Sequence, residues 1–421
     1  MSQNDTNTAS KWRKNDILWV LSLYGTAIGA GVLFLPINAG MGGIIPLLVI
    51  LVLAFPMTFY AHRALARFVL SGKNTKDDIT VVVEEAFGRT AGNLITVLYF
   101  FAIFPILLVY SVGTTNTVIS FMEHQMHMAA PPRAILSFVI VGVLVLISYL
   151  GENLVIKVMS VLVFPFIAVL MVIALFLIPE WNGAIFSTFS FSSGSQAGGR
   201  SILMTLWLVI PVMVFAFNHS PIISSMAVAQ RKEYGDKYAE QKSSNIIAAS
   251  NIMMVITVMF FVFSCALTLT PAELLEAKAQ NISILSYLAN KLESPVIAYV
   301  GPILAFVAMS KSFLGHYLGG KEGFNGIVNR VAKNSIAPKK LDNIAAITMF
   351  IVAWIVATLN PSILGMIESL GGPILAILLF LMPMYAIHKL PILAQYRGKI
   401  SNVFIVIMGL IAISAAIYGL M

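Results

Sequence analysis

Charge is what this sequence has least of. Asp, Glu, Lys and Arg make up 10% of its 421 residues, against roughly 25% in soluble domains. With 59% hydrophobic residues and a mean hydropathy of +0.90, the chain carries more apolar surface than a soluble core could hide, which excludes a soluble globular protein. Cysteine is nearly absent as well. The single Cys265 lies in an apolar stretch, which excludes a disulfide framework and a cysteine metal site. There is no Walker A loop, no HExxH pair and no catalytic triad spacing, so no enzyme, catalytic residue, cofactor or metal is expected. The net charge of +8 does not point to nucleic acid, because Lys and Arg fall in short loops between apolar runs, as membrane topology requires. What remains is an all-α polytopic membrane protein.

The basic start (Lys11, Arg13, Lys14) followed by an apolar run resembles a signal peptide only superficially. The run is too long for a cleaved apolar segment and contains Pro36, so a retained first helix is expected. Eleven spans follow, each near the ~20 residues needed to cross a bilayer: 17–38, 43–68, 93–121, 134–151, 155–178, 201–229, 245–269, 295–319, 343–360, 363–387 and 401–420. Residues 1–15 are expected to form a cytoplasmic tail and 16–421 a single transmembrane domain. The segment 71–92, with DDITVVVEEAFG, reads as an amphipathic piece on the membrane surface, and 271–292 as an external lid. Placing the N-terminus in the cytoplasm puts Arg133, Arg200, Lys278 and Lys291 outside and Lys311 within a span. The other 21 of the 26 basic residues then fall on the cytoplasmic side, which fixes the orientation and makes the C-terminus periplasmic.

The chain is organised around residues 25–36, GTAIGAGVLFLP, inside a run with no Lys, Arg, Asp or Glu from Ile17 to Ala61. Three glycines within seven residues weaken a helix by about 1 kcal/mol each. A helix that breaks in a membrane must line a cavity or hold a ligand, because free backbone groups there cost several kcal/mol. Close packing through small residues is the other reading of the same glycines. The sixth span is interrupted too: Pro211 and Pro221 flank Asn218, His219 and Ser220. Interruptions at corresponding places in two five-span repeats (about 17–178 and about 201–387, with 401–420 as an extra helix) point to a transport site at mid-membrane. Five spans is an odd number, so the repeats are inverted. Half-helices ending there offer amides and carbonyls, which suit the carboxylate and ammonium of an amino acid.

The stretches LYGTAIGAGVLFLPINAG, FVLSGKN, VFAFNHSPIISS, KSFLGHYLG and NPSILGMIESLGGPI resemble the hydroxy/aromatic amino acid permease family of the amino acid–polyamine–organocation superfamily, from about Trp12 to the C-terminus. The resemblance implies a LeuT-type core of five plus five inverted repeats with one added helix, with the first and sixth helices broken. It also implies a multi-pass protein of the bacterial inner membrane that imports L-serine by proton symport. Threonine or an aromatic amino acid, with protons or sodium, is the alternative. The partners expected are the amino acid, protons and the bilayer, with no nucleic acid and no obligate protein partner.

Carried over by position, Gly25, Thr26, Ala27, Gly29, Ala30 and Gly31 would bind the substrate backbone. Phe215, Phe217, Asn218, His219 and Ser220 would take its ammonium and side chain, and Tyr110 would meet or cover the carboxylate. Thr114, Thr115 and Asn116 read instead as polar residues between packed helices. Lys311, the one cation inside a span, with Ser312, would stand where sodium-coupled members of the superfamily hold their ion, bridging carbonyls near Gly25. His316 would carry the proton inward. Glu368, in the tenth span about 10 Å from the outer face by helix rise, would belong to the outer gate or the proton path.

Overall fold

An apolar chain in a membrane must satisfy each peptide group within itself, and helices do so segment by segment. The computed structural model describes residues 11–75, 77, 79–150, 152–186, 202–333 and 335–420, and every regular element among them is helical. The expected tail residues 1–10, Arg200 and the first residue of the sixth span lie outside the described residues.

The chain begins with α1 (Lys14–Ala27) and α2 (Ala30–Gly40), two halves of one apolar stretch set at 56°. Then come α3 (Ile44–Val69), α4 (Ile79–His124), α5 (Arg133–Leu150) and α6 (Glu152–Phe176). The second half holds α7 (Ile202–Ala216), α8 (Ile223–Thr268), the short pair α9 (Pro271–Ala279) and α10 (Ile284–Lys291), and α11 (Pro295–Val331). It closes with α12 (Pro338–Leu359), α13 (Ile363–Lys389) and α14 (Ile400–Leu420). Helices stand at all the positions where spans are expected. By length and apolarity, seven helical stretches among the described residues can cross a membrane, and the bent α1–α2 pair makes an eighth.

Three helices run well past their expected spans: α11 continues without a kink to Val331, and α4 and α8 are bent by glycine. Gly88 in α4 (φ 85°) and Gly235 in α8 (φ 69°) occupy backbone regions that other residues rarely enter, so the surface segment 79–87 and the turn between the sixth and seventh spans join their neighbours through a kink. The expected lid is two helices rather than one. Asn281, at φ 56°, turns the chain between them, and its side chain donates to Asn360 Oδ1 (3.0 Å) and accepts from the Ile363 amide (2.8 Å).

Within the bundle α11 packs against α4, α3 against α8, α2 against α7 and α5 against α12. All eleven residues of α2 are buried, which makes it the centre of the bundle. The outer helices keep an apolar face exposed, as with Ile135, Val139, Val143, Leu146 and Leu150 of α5 and Ile400, Val403, Ile407 and Leu410 of α14. Continuous apolar faces of this size belong against lipid.

Candidate functional site at the two helix breaks

The first break centres on Ile28 and Gly29. Ile28 leaves the helix with φ −75° and ψ 108°, and Gly29 is extended with φ −162° and ψ −148°. The last carbonyls of α1 and the first amides of α2 thereby lose their intrahelical partners. Two of the carbonyls are met from α11: Lys311 Nζ donates to Gly25 O at 2.8 Å, and Ser312 Oγ donates to Ile28 O at 2.9 Å. Lys311 is 1% exposed, and its ammonium lies 5.4 Å from the centre of the Phe166 ring on α6, within cation–π range. The Tyr110 hydroxyl meets Ser312. Since the Ser312 proton goes to Ile28, the tyrosine is the donor. The Tyr110 ring stands edge-on to His316 with centroids 5.2 Å apart, and His316 Nδ1 bonds Ser312 O at 2.8 Å. Lys311, Ser312, Tyr110 and His316 thus form one buried cluster on the break.

The second break follows α7. Ser220–Ile222 form a single 3-10 turn, His219 is non-helical (φ −132°, ψ 20°), and Asn218 Oδ1 accepts the Ser220 amide at 3.1 Å. The His219 amide, freed by the break, donates to Nε2 of His62 on α3 at 3.2 Å. The two breaks touch. A Cβ built on Gly31 would lie 2.6 Å from Ala216 Cα and 2.7 Å from Phe215 Cδ1, and one on Gly29 would lie 2.6 Å from Ser312 Oγ and 2.7 Å from the Tyr110 hydroxyl. The helix breaks at Gly29, and the packing reading holds at Gly31, where α2 approaches the backbone of α7, while Gly29 leaves room for the Ser312 and Tyr110 side chains.

A cavity of about 680 Å³ lies beside the first break, on the α1 side. Gly25, Thr26, Ser312 and His316 of the expected set line it, together with Ser22, Tyr99 and Glu322. Thr26 spends its hydroxyl on Ser22 O at 2.8 Å. A smaller cavity of about 120 Å³ shares Tyr99, Pro221, Ser225 and Glu322 with it and touches Ser220. Ala27, Gly29, Ala30, Gly31, Tyr110, Phe215, Phe217, Asn218, His219 and Lys311 are buried and line neither cavity. Glu368 stands apart, at the far end of α2. It sits in a π turn of α13 (Ile367–Gly371), where Oε1 accepts from Asn38 Nδ2 at 2.8 Å and lies 3.9 Å from Lys278 Nζ of α9.

The sequence matches the tryptophan/tyrosine permease family over residues 13–419. The chain belongs to that family. Among the relatives of this permease, the serine transporter SdaC of Escherichia coli K12 is 65% identical over 418 residues, covering 98% of this chain and 97% of the relative. The threonine/serine transporter TdcC of Escherichia fergusonii is 49% identical over 440 residues, covering 99% of each chain. Two solved structures share the fold at 14% identity: MhsT in complex with L-phenylalanine (TM-score 0.55, 96% of this chain, 97% of that one) and a manganese transporter of Eremococcus coleocola (TM-score 0.61, 95% and 86%). Both are LeuT-fold transporters, so the permease has that fold.

Three features of the permease escaped the sequence reading. His62 is a histidine inside an apolar span, and that incongruity was the available signal. Asn38 is likewise a buried polar residue among apolar ones. The third left no local trace: Asp16, just before the apolar run, accepts from Lys242 Nζ (2.9 Å), Tyr234 Oη (2.9 Å) and the Arg13 amide (3.0 Å). Burial alone would raise the Asp16 pKa, but these donors together hold its carboxyl below the usual range. Burial, with the contact to Asp16 added, pushes the Tyr234 phenol up.

Proposed function

We propose that this permease is a secondary active transporter that imports L-serine with protons across the bacterial inner membrane. The observation that carries the substrate is the 65% identity to a serine transporter along nearly the whole of both chains. What supports the coupling is the ammonium of Lys311 on the Gly25 carbonyl. A cation held by the backbone of a broken helix links the shape of that break to whether the cation is present. Loss of the Lys311 proton would leave only a neutral amine on Gly25 O, a weaker donor than the ammonium, and so loosen α1.

In this reading the chain crosses the membrane eleven times, with the N-terminus cytoplasmic and the C-terminus periplasmic. Residues of about 17–178 and about 201–387 are inverted repeats, and 401–420 is the extra helix. The two cavities then open toward the cytoplasm, while α9, α10 and the Asn38–Glu368–Lys278 contact close the periplasmic side, so the state described is inward-facing. The unpartnered amides at the start of α2 take the substrate carboxylate, with Tyr110 over it. The segment from Phe215 to Ser220 takes the ammonium and the hydroxyl. Ser312 and His316 line the cavity through which a proton leaves Lys311, and Glu368 is where one enters from outside.

The test is transport of labelled serine in proteoliposomes. Internal unlabelled serine should accelerate uptake, and an imposed proton gradient should drive accumulation where a sodium gradient does not. Failure of counterflow would overturn the carrier reading, and sodium-driven accumulation would overturn the coupling. Threonine is the second substrate reading, supported by the 49% identity to a threonine/serine transporter. It should compete in the same assay, and tryptophan should not.

A further inference from the structure

His62 and His219 lie with their rings nearly parallel, 10° apart and with centroids 3.6 Å apart, at 1% and 0% exposure. Hydrogen bonding assigns the protons of His62. Its Nε2 faces the His219 amide at 3.2 Å, and a backbone N–H only donates, so Nε2 carries a lone pair. Its Nδ1 faces the Thr58 carbonyl at 2.8 Å, and a carbonyl only accepts, so Nδ1 carries the hydrogen. Both nitrogens of His62 are thereby used, in the neutral form. His219 points Nδ1 at Phe217 O (3.1 Å), while its Nε2, fully buried, meets no partner among the described residues.

The amide that His62 holds is one that the break after α7 has stripped of its helical acceptor. Buried backbone donors without partners are rare because each costs about as much as a lost hydrogen bond. An unwound segment keeps its shape only where something outside it supplies that acceptor. Asn218 and Ser220 tie the segment to itself, and His62 ties it to a neighbouring helix. We propose that His62 is the positioning residue that holds the second break open for substrate, as a neutral acceptor for the His219 amide. A proton on His62 undoes the hold. This rests on the serine-transport reading of the same break.

Among the described residues no charged side chain faces that proton, and Asn218 is the one side chain placed to accept it. Of the helices packed on α3, α2, α7 and α14 contain no Asp, Glu, Lys or Arg. The first charge on α8 is Arg231, twelve residues beyond His219. α4 has its charged residues near its two ends, and α13 carries Glu368 at one end and the exposed His388 and Lys389 at the other. On α3 itself Arg67 pairs with Glu240 of α8, and Arg63 lies over Phe59 and Tyr60. Asn218 and His219 are the polar groups that face His62. Protonation would turn Nε2 from acceptor to donor against an N–H and set a cation on a parallel ring.

The experiment compares wild type, His62→Gln and His62→Ala in proteoliposomes at equal pH on both sides, with ¹⁵N spectra of histidine-labelled protein read alongside. Gln presents an acceptor oxygen near the position of Nε2 but takes up no proton. The expected result is that His62→Gln keeps serine counterflow within about twofold at neutral pH and loses the acid limb of the wild-type profile. His62→Ala should lose counterflow by about tenfold or more, as expected for a buried donor left unpaired. In the spectra His62 should be the neutral Nδ1–H form at pH 7. An Nε2–H form, an acid limb that is absent in wild type or kept in His62→Gln, or normal counterflow in His62→Ala would each overturn the inference. If wild type itself shows no serine counterflow, the transport reading fails, and the ring protonation still tests His62 independently.

Discussion

Replacing Lys311 by alanine separates the two halves of symport. The change removes a charge-assisted hydrogen bond to Gly25 O at 2.8 Å and leaves Ser312 on Ile28 O at 2.9 Å. A hydrogen bond of the first kind is worth about 1.5–3 kcal/mol, so the bent α1–α2 arrangement should lose roughly one to two orders of magnitude in relative population. Exchange, which needs the break but no net proton movement, should survive at a reduced rate because the Ser312 contact remains. Accumulation should not survive. With one proton per serine, each pH unit contributes about 1.4 kcal/mol, so a gradient of two units supports at most about 100-fold accumulation in wild type. The variant should only equilibrate, to about 1-fold. Lys311→Arg refines the test: it keeps a cation over the break that does not deprotonate, so exchange should persist while uphill transport is lost. The assay is uptake and counterflow of labelled serine in the same proteoliposomes. Accumulation by Lys311→Ala to the wild-type ratio would refute the reasoning.

Gly31→Ala should impair transport and melting temperature more than Gly29→Ala. The added methyl would meet the Ala216 backbone in the first case and the movable Ser312 and Tyr110 hydroxyls in the second, with overpacking of a fixed contact costing about 1–3 kcal/mol; equal effects would count against the close approach of α2 and α7. Lys242→Ala should lower stability by about 3–5 kcal/mol, because it strands the buried Asp16 carboxylate. As the folded Asp16 pKa lies below its ordinary value of 3.8, its stabilising contribution is complete above that value and disappears as the pH falls through the lower, folded one. Thermal melts of the solubilised protein should therefore be steady from neutrality to about that point in wild type, whereas in the variant, where burial is left to raise the Asp16 pKa, acidification should recover part of the lost stability. Glu368→Gln keeps an acceptor for Asn38 but removes the charge facing Lys278; serine counterflow at neutral pH should persist while the pH profile of uptake shifts, and an unchanged profile would make Glu368 a structural residue.

Much of this protein is local information. Scarcity of charge with long apolar runs dictates membrane helices wherever the backbone must satisfy itself, and Gly29 with its neighbours, like Pro221 after Asn218 and His219, marks where a helix cannot continue. Lys311 is legible as a residue that must find a partner, because a cation amid apolar residues demands one. Which partner it takes is not legible. The Gly25 carbonyl lies 286 positions away along the chain, and nothing in either segment names the other. The same holds for His62 with His219, for Asp16 with Lys242 and for Glu368 between Asn38 and Lys278. The glycines show the division within single residues: their weak helix propensity is visible in the sequence, but Gly31 lying against Ala216 follows only from how α2 crosses α7. Propensity and polarity belong to a segment, whereas a hydrogen bond between segments depends on the packing of the helices that carry them, which tertiary structure alone decides.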